Sequence, residues 1–167
     1  MLYKKEDIFK SKKNLSKINK IAISGIVIAI YVVIMYFTQS FAFMQFQIRI
    51  ATCMYGLSAI FPFLIVPMGL SNLISNTLMG GLGLPDMLGG AIVGMITSLI
   101  VYLISKYKFN DWFIVFPIIL IPGFGVPIWL SYLLHIKYMV LVFSLLMGQI
   151  IPAILGVLLV KQLRKFY

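Results

Sequence analysis

Charge is what this sequence has least of. Only 11% of its 167 residues are charged, where a soluble domain carries roughly a quarter. The acids are four, Glu6, Asp7, Asp86 and Asp111, which leaves little for multi-carboxylate metal chemistry. A single cysteine, Cys53, excludes an internal disulfide and reads as a small apolar packing residue. The one histidine, His135, stands far from the acids. These few reactive groups fall on distant segments, so neither a nucleophile with its base nor a set of metal ligands assembles from them. Gly80-Gly81-Leu82-Gly83-Leu84-Pro85-Asp86 is glycine-rich but lacks the Lys-Ser/Thr ending of a phosphate-binding loop. No catalytic residue, metal or cofactor is therefore expected.

What fills the chain is apolar: 62% of residues are hydrophobic. Lipid is the solvent that tolerates such a composition, and one span needs about 20 apolar residues. The expectation is an all-α, polytopic membrane protein, a six-transmembrane-helix bundle occupying residues 21–160. Basic tails at 1–20 and 161–167 would flank it. The first span is 21–37, followed by a more polar stretch at 38–50. Residues 50–85 carry no charge and are too long for one helix, so two short spans are expected, with Pro62 and Pro67 bracketing the turn. The remaining spans are 87–105, 112–130 (interrupted by Pro117, Pro122 and Pro127) and 139–160.

The net charge of +10 does not indicate nucleic acid, because its placement is that of membrane flanks. Seven of the 14 basic residues precede residue 21. With six spans, twelve basic residues lie inside against Arg49 and Lys137 outside, and both termini are cytoplasmic. The N-terminal tail reads as a cytoplasmic segment able to touch anionic lipid rather than as a signal peptide. Trp112 and Trp129 are 17 residues apart, about 26 Å along a helix, which suits one indole at each interface.

Polar residues within an apolar chain point to a site, since an unpartnered one costs several kcal/mol there. Gln45, Gln47, Arg49, Asn76, Asp86 and Gln149 gather toward the outer side of the expected topology. Arg49 and Asp86 end the uncharged run, and two readings of them stay open. One is a structural ion pair. The other is a small-molecule site formed by Gln47, Arg49, Asn76 and Asp86, with Phe41, Phe43, Phe46, Trp129 and Tyr132 as candidate stacking walls. Small residues at helical spacing allow close approach of helices: Ser71 with Ser75, Gly90 with Gly94, Gly148 with Pro152 and Gly156. Gly25 with Ala29, on the first span, suits docking of another membrane subunit.

Gln47-Ile48-Arg49-Ile50, after a span containing Ala29-Ile30-Tyr31-Val32-Val33, resembles the QueT family. The resemblance continues through Asn76, Gly80 to Asp86, Gly90, Gly148-Gln149 and Gly156, over most of residues 21–162. Where that family usually has a glutamate three residues after the arginine, this chain has Thr52. The resemblance implies a substrate-binding S component of an energy-coupling factor (ECF) transporter for queuosine precursors. Such a protein captures a 7-deazaguanine base and works with a shared ECF transmembrane subunit and two cytoplasmic ATPases. Two other readings stand beside it: a stand-alone secondary transporter, for which no repeat between residues 21–85 and 87–160 is visible, and a non-catalytic structural membrane subunit.

The topology has a direct test. In a Cys53→Ser background, Lys137→Cys is expected to react with an impermeant thiol reagent in intact cells. Lys5→Cys, Lys106→Cys and Lys165→Cys should react only after permeabilisation. Labelling of Lys106→Cys from outside would reject the six-span arrangement.

Overall fold

A computed structural model describes residues 15–42, 47–80 and 82–166. Every regular element among them is helical. Helix α1, Lys17–Ala42, is an apolar run without a proline. It buries a single stripe, Val27, Tyr31, Met35 and Ala42, while Ile18, Ile21, Ile26, Val33 and Phe37 on its other faces are exposed. An apolar exposed face of this kind requires lipid or another protein. The expected first span ends at 37, but the helix continues to Ala42. Thr38 is accommodated there by donating to the carbonyl of Ile34 at 2.7 Å, so its hydroxyl needs no water.

The uncharged run divides at Ile60 and Phe61, before Pro62, while Pro67 falls inside the helix that follows rather than at the turn. The first half is not an α-helix and is shorter than the helices long enough to cross a membrane. Ile50–Ala59 is a ten-residue 3-10 helix, a form that rarely exceeds one turn. Its rise of about 2.0 Å per residue carries it about 20 Å, against about 15 Å for an α-helix of that length. It is rich in small residues and threads the main core. Ala51, Met54, Tyr55, Leu57 and Ala59 pack there with Tyr31 and Met35 of α1 and with Ala153, Val157 and Val160 near the C-terminus. The chain turns at Ile60 and Phe61, and Pro62 opens a short 3-10 turn, Pro62–Leu64. Helix α2, Ile65–Ser75, follows. Pro67 lies in its first turn, where no backbone N–H is needed. A π-helical turn, Asn76–Gly80, extends α2.

Helix α3, Leu84–Lys106, starts with Pro85 and Asp86 in its first turn, both favoured at a helix N-terminus. The fifth apolar segment is split into α4, Val115–Gly125, and α5, Pro127–Leu134. The last is split into α6, Tyr138–Gly148, and α7, Ile150–Arg164. An unbroken span over 139–160 was the expectation, and Pro152 explains the break: it cannot donate to the carbonyl of Gly148. Helix α7 runs on to Arg164, with Lys161 and Arg164 in its last turn, where cations suit the helix dipole.

Five helical segments are long and apolar enough to cross a membrane, and Ile50–Ala59 is a shorter apolar one. This 3-10 segment nevertheless joins the two ends of the bundle. Near its start, the Thr52 hydroxyl lies 2.8 Å from Gln149. At its end, the carbonyl of Ala59 accepts from Ser105 at 2.7 Å. Ser105 in turn accepts from Arg164 at 2.7 Å, and Arg164 pairs with Asp111 at 3.1 Å. Beside this clasp, the Lys161 ammonium lies 4.3 Å from the centre of the Trp112 ring.

The 3-10 segment and α7 touch through backbone. A Cβ on Gly56 would fall 2.9 Å from the carbonyl oxygen of Gly156, and one on Gly156 would fall 3.0 Å from that of Cys53. Gly56→Val and Gly156→Val are therefore expected to lower thermal stability in detergent by about 1–3 kcal/mol. Gly25→Ala, whose Cβ meets nothing within 4 Å, serves as the neutral control. Equal melting of all three would show that the close approach is not a tight contact.

Candidate functional site

The polar groups are gathered at the end of the bundle opposite the Arg164 clasp. Arg49 is 9% exposed and Asp86 4%, so both charges have left water and need partners. Asn76 stands between them. It accepts from Arg49 Nη2 through its side-chain oxygen at 2.5 Å. Its nitrogen donates to the backbone carbonyl of Asp86 at 2.9 Å. Asp86 Oδ1 then accepts from the Trp129 indole Nε1 at 3.1 Å. The result is one chain of hydrogen bonds, Arg49 to Asn76 to Asp86 to Trp129, joining the 3-10 segment, α2, α3 and α5. Asp86 Oδ2 is buried and has no hydrogen-bond partner among the described residues.

Local sequence explains why these groups can meet. Asn76 sits where α2 passes into its π-helical turn, a distortion frequent at functional sites. Gly90 supplies the space opposite it, since a Cβ there would lie 2.5 Å from Asn76 Nδ2. One turn along, Gly94 makes the same room for Asn72, at 2.5 Å. Gly89 receives the Trp129 ring, three of whose atoms would be 2.9 Å from a Cβ. The indole is thus held flat against α3 with its N–H at Asp86. Gln47 enters with φ of 41°, a left-handed conformation that costs a non-glycine residue about 1–2 kcal/mol. Such strain collects at functional sites.

A small cavity of about 10 Å³ adjoins Arg49, room for about one water molecule. Its polar wall is Gln47, Arg49, Thr52, Tyr55, Asn72 and Gln149, and its apolar wall includes Val93, Pro122, Val126 and Leu145. Thr52 Oγ1 lies 2.7 Å from the carbonyl of Arg49 and 2.8 Å from the Gln149 side chain. The hydroxyl spends its one proton on the Arg49 carbonyl and accepts from Gln149 when that amide presents its nitrogen. Asn72 donates to Tyr55 Oη at 2.7 Å and accepts from Tyr31 Oη at 3.1 Å, which ties α1 to the cavity floor. Among the described residues, Arg49 is the one charged group on this wall.

A model of the QueT transporter family matches residues 21–165. The chain belongs to the QueT transporter family. It is accordingly a multi-pass membrane protein of a transporter family, not of an enzyme family. No curated protein and no solved structure matches it.

Of the candidate residues in this QueT protein, Gln47 and Arg49 are on the cavity wall, and Asn76 and Asp86 are joined to Arg49 through hydrogen bonds. Trp129, expected as a stacking wall, holds Asp86 through its N–H. Phe43 and Phe46 lie outside the described residues. Tyr132 is 80% exposed and His135 caps α5 in a left-handed conformation, so neither walls this cavity. Gly25 and Ala29 are both exposed on α1. Tyr55 and Asn72 were missing from the candidate residues, and Gln149 was singled out only as one of the polar residues on the outer side, not as part of the four-residue site. Asn72 had a legible signal, since it precedes Asn76 by four residues and so shares its helix face. Gln149 owes its place to the helix break at Pro152.

Trp129→Phe keeps the ring on Gly89 and deletes the donor to Asp86 Oδ1. Leaving that buried oxygen without its bond is expected to destabilise the protein by about 1–3 kcal/mol, read as a lower melting temperature in detergent. An unchanged melting temperature would reduce Trp129 to a packing residue.

Proposed function

We propose that this protein is the substrate-binding S component of an energy-coupling factor transporter and that it captures a 7-deazaguanine base, a queuosine precursor, from outside the cell. The observation that carries this reading is the buried chain joining Arg49 to Asp86 through Asn76. It supports the reading by bringing a cationic donor and a carboxylate acceptor close together at one end of the helical bundle. In this reading the bundle crosses the membrane six times, with Ile50–Ala59 as the second, short crossing. Positive-inside bias puts the Arg164 clasp at the cytoplasmic face, both termini in the cytoplasm and the Arg49 end outside.

A guanine-like edge carries N–H and amino donors beside a carbonyl acceptor. Asp86, with Oδ2 uncommitted among the described residues, suits the donors. Arg49 and Gln47 suit the carbonyl, through charge-assisted and neutral hydrogen bonds. Ligand pockets generally exceed about 300 Å³, so binding requires the small cavity to widen. The wall to move is the apolar one, Pro122, Val126 and Leu145, because the opposite wall is tied by hydrogen bonds.

Energy comes from partners in this reading: a shared ECF transmembrane subunit and two cytoplasmic ATPases. The exposed apolar face of α1 is where the membrane subunit docks, with Gly25 and Ala29 permitting close approach. Gly25→Leu adds bulk where nothing lies within 4 Å. It is expected to leave folding and base binding intact while abolishing copurification of the partner subunits, and normal copurification would reject this docking face.

Binding is tested by calorimetric titration of 7-deazaguanine bases into Arg49→Ala and Asp86→Ala, with melting temperature recorded alongside. Each variant is expected to lose a charge-assisted hydrogen bond to the ligand, about 1.5–3 kcal/mol or more than tenfold in affinity. Unchanged affinity in the folded fraction, with a lowered melting temperature, would make the two charges architectural.

A further inference from the structure

We infer that the site selects 7-deazaguanines whose C7 substituent is uncharged and rejects those carrying an ammonium there, with Thr52 and Gln149 as the residues that set this choice. The inference rests on the binding reading above and adds the ligand's charge to it.

The argument begins from the shape of the base. In a 7-deazaguanine the ring carbonyl lies between the N–H and amino edge on one side and the C7 substituent on the other. If Asp86 takes the donor edge and Arg49 the carbonyl, the substituent must project past Arg49, away from Asp86. The polar groups lining the cavity with Arg49 are Gln47, Thr52, Tyr55, Asn72 and Gln149, all uncharged, and the rest of the lining is apolar. The sequence holds four acids in total. Glu6 and Asp7 lie outside the described residues, Asp111 is paired with Arg164 at the opposite end of the bundle, and Asp86 takes the donor edge in this pose. Among the described residues no carboxylate remains for an ammonium beside Arg49. Two like charges in a desolvated site repel strongly, whereas a nitrile-type or carbonyl-type substituent accepts hydrogen bonds from neutral donors at no such cost. Thr52 and Gln149 hold each other at 2.8 Å, so they form a fixed neutral patch where a carboxylate would reverse the preference.

The experiment is calorimetric titration of the purified full chain with three probes: 7-cyano-7-deazaguanine, 7-aminomethyl-7-deazaguanine and unsubstituted 7-deazaguanine. The cyano base is expected to bind about tenfold or more tightly than the aminomethyl base. Thr52→Glu and Gln149→Glu should each narrow or invert that ratio, since an added carboxylate favours a positive ligand. Should either variant fail to fold, the ratio in the unsubstituted protein decides alone. Equal or tighter binding of the aminomethyl base by that protein overturns the inference. If the unsubstituted base binds in that case, the binding reading survives and only the charge selection falls. If none of the three binds, the binding reading itself fails and takes the inference with it.

Discussion

The hydrogen bond from Arg49 to Asn76 is the contact on which the arrangement of the polar end depends. A guanidinium buried in an apolar bundle is tolerated only if its surroundings supply acceptors in fixed positions. Asn76 does so because its other end is anchored to the Asp86 carbonyl. Asp86 is in turn anchored by Trp129, and Trp129 lies against Gly89. Each member is positioned by the next, and the chain ends in packing rather than in another polar group. The same geometry accounts for the two glycines that face the asparagines. Any side chain at Gly90 or Gly94 would push Asn76 or Asn72 out of reach of its partners.

The second constraint is the depth of the bundle. Ile50–Ala59 has ten residues with which to connect the Arg49 end to the Ser105–Arg164 clasp. Winding them as a 3-10 helix lengthens the segment, and its glycine and small residues let it lie against α7 with backbone on backbone. A core of this kind is held by contact at every position. That is why its tight spots, Gly56 and Gly156, are on the two elements that meet there rather than on the exposed helix α1.

The two ends of the molecule are chemically opposite. At the clasp, Arg164 and Asp111 are partly exposed and neutralise one another at 3.1 Å, as charges at a membrane–water boundary generally do. At the other end, Arg49 and Asp86 are buried and joined through a neutral amide. Separation by Asn76 leaves Asp86 Oδ2 uncommitted among the described residues and Arg49 on the cavity wall. An ion pair formed directly between them would consume the groups that the proposed ligand would use. Tyr31, bonded to Asn72, extends this network to α1 and gives the helix with the exposed Gly25–Ala29 face a physical link to the cavity floor.

Composition alone determined that this chain is a helical membrane protein, because so few charges and so long an apolar sequence admit no other solvent. It also marked Arg49, Asn76 and Asp86, since polar groups are conspicuous where nearly everything else is apolar. The division of residues 50–85 followed from its length and from Pro62. The interruption of residues 112–130 at Pro127 followed too, but the 3-10 winding and the break at Gln149 did not. A 3-10 winding depends on the distance to be bridged between two ends of a bundle, and the break at Gln149 depends on what the freed side chain can reach. Trp129 shows the limit most clearly: its spacing from Trp112 suited an interfacial indole, whereas the fold turns its N–H inward to a carboxylate 43 residues away. Spacing along a helix is a local property that the sequence carries. Which face of that helix meets which partner is decided only when the helices pack.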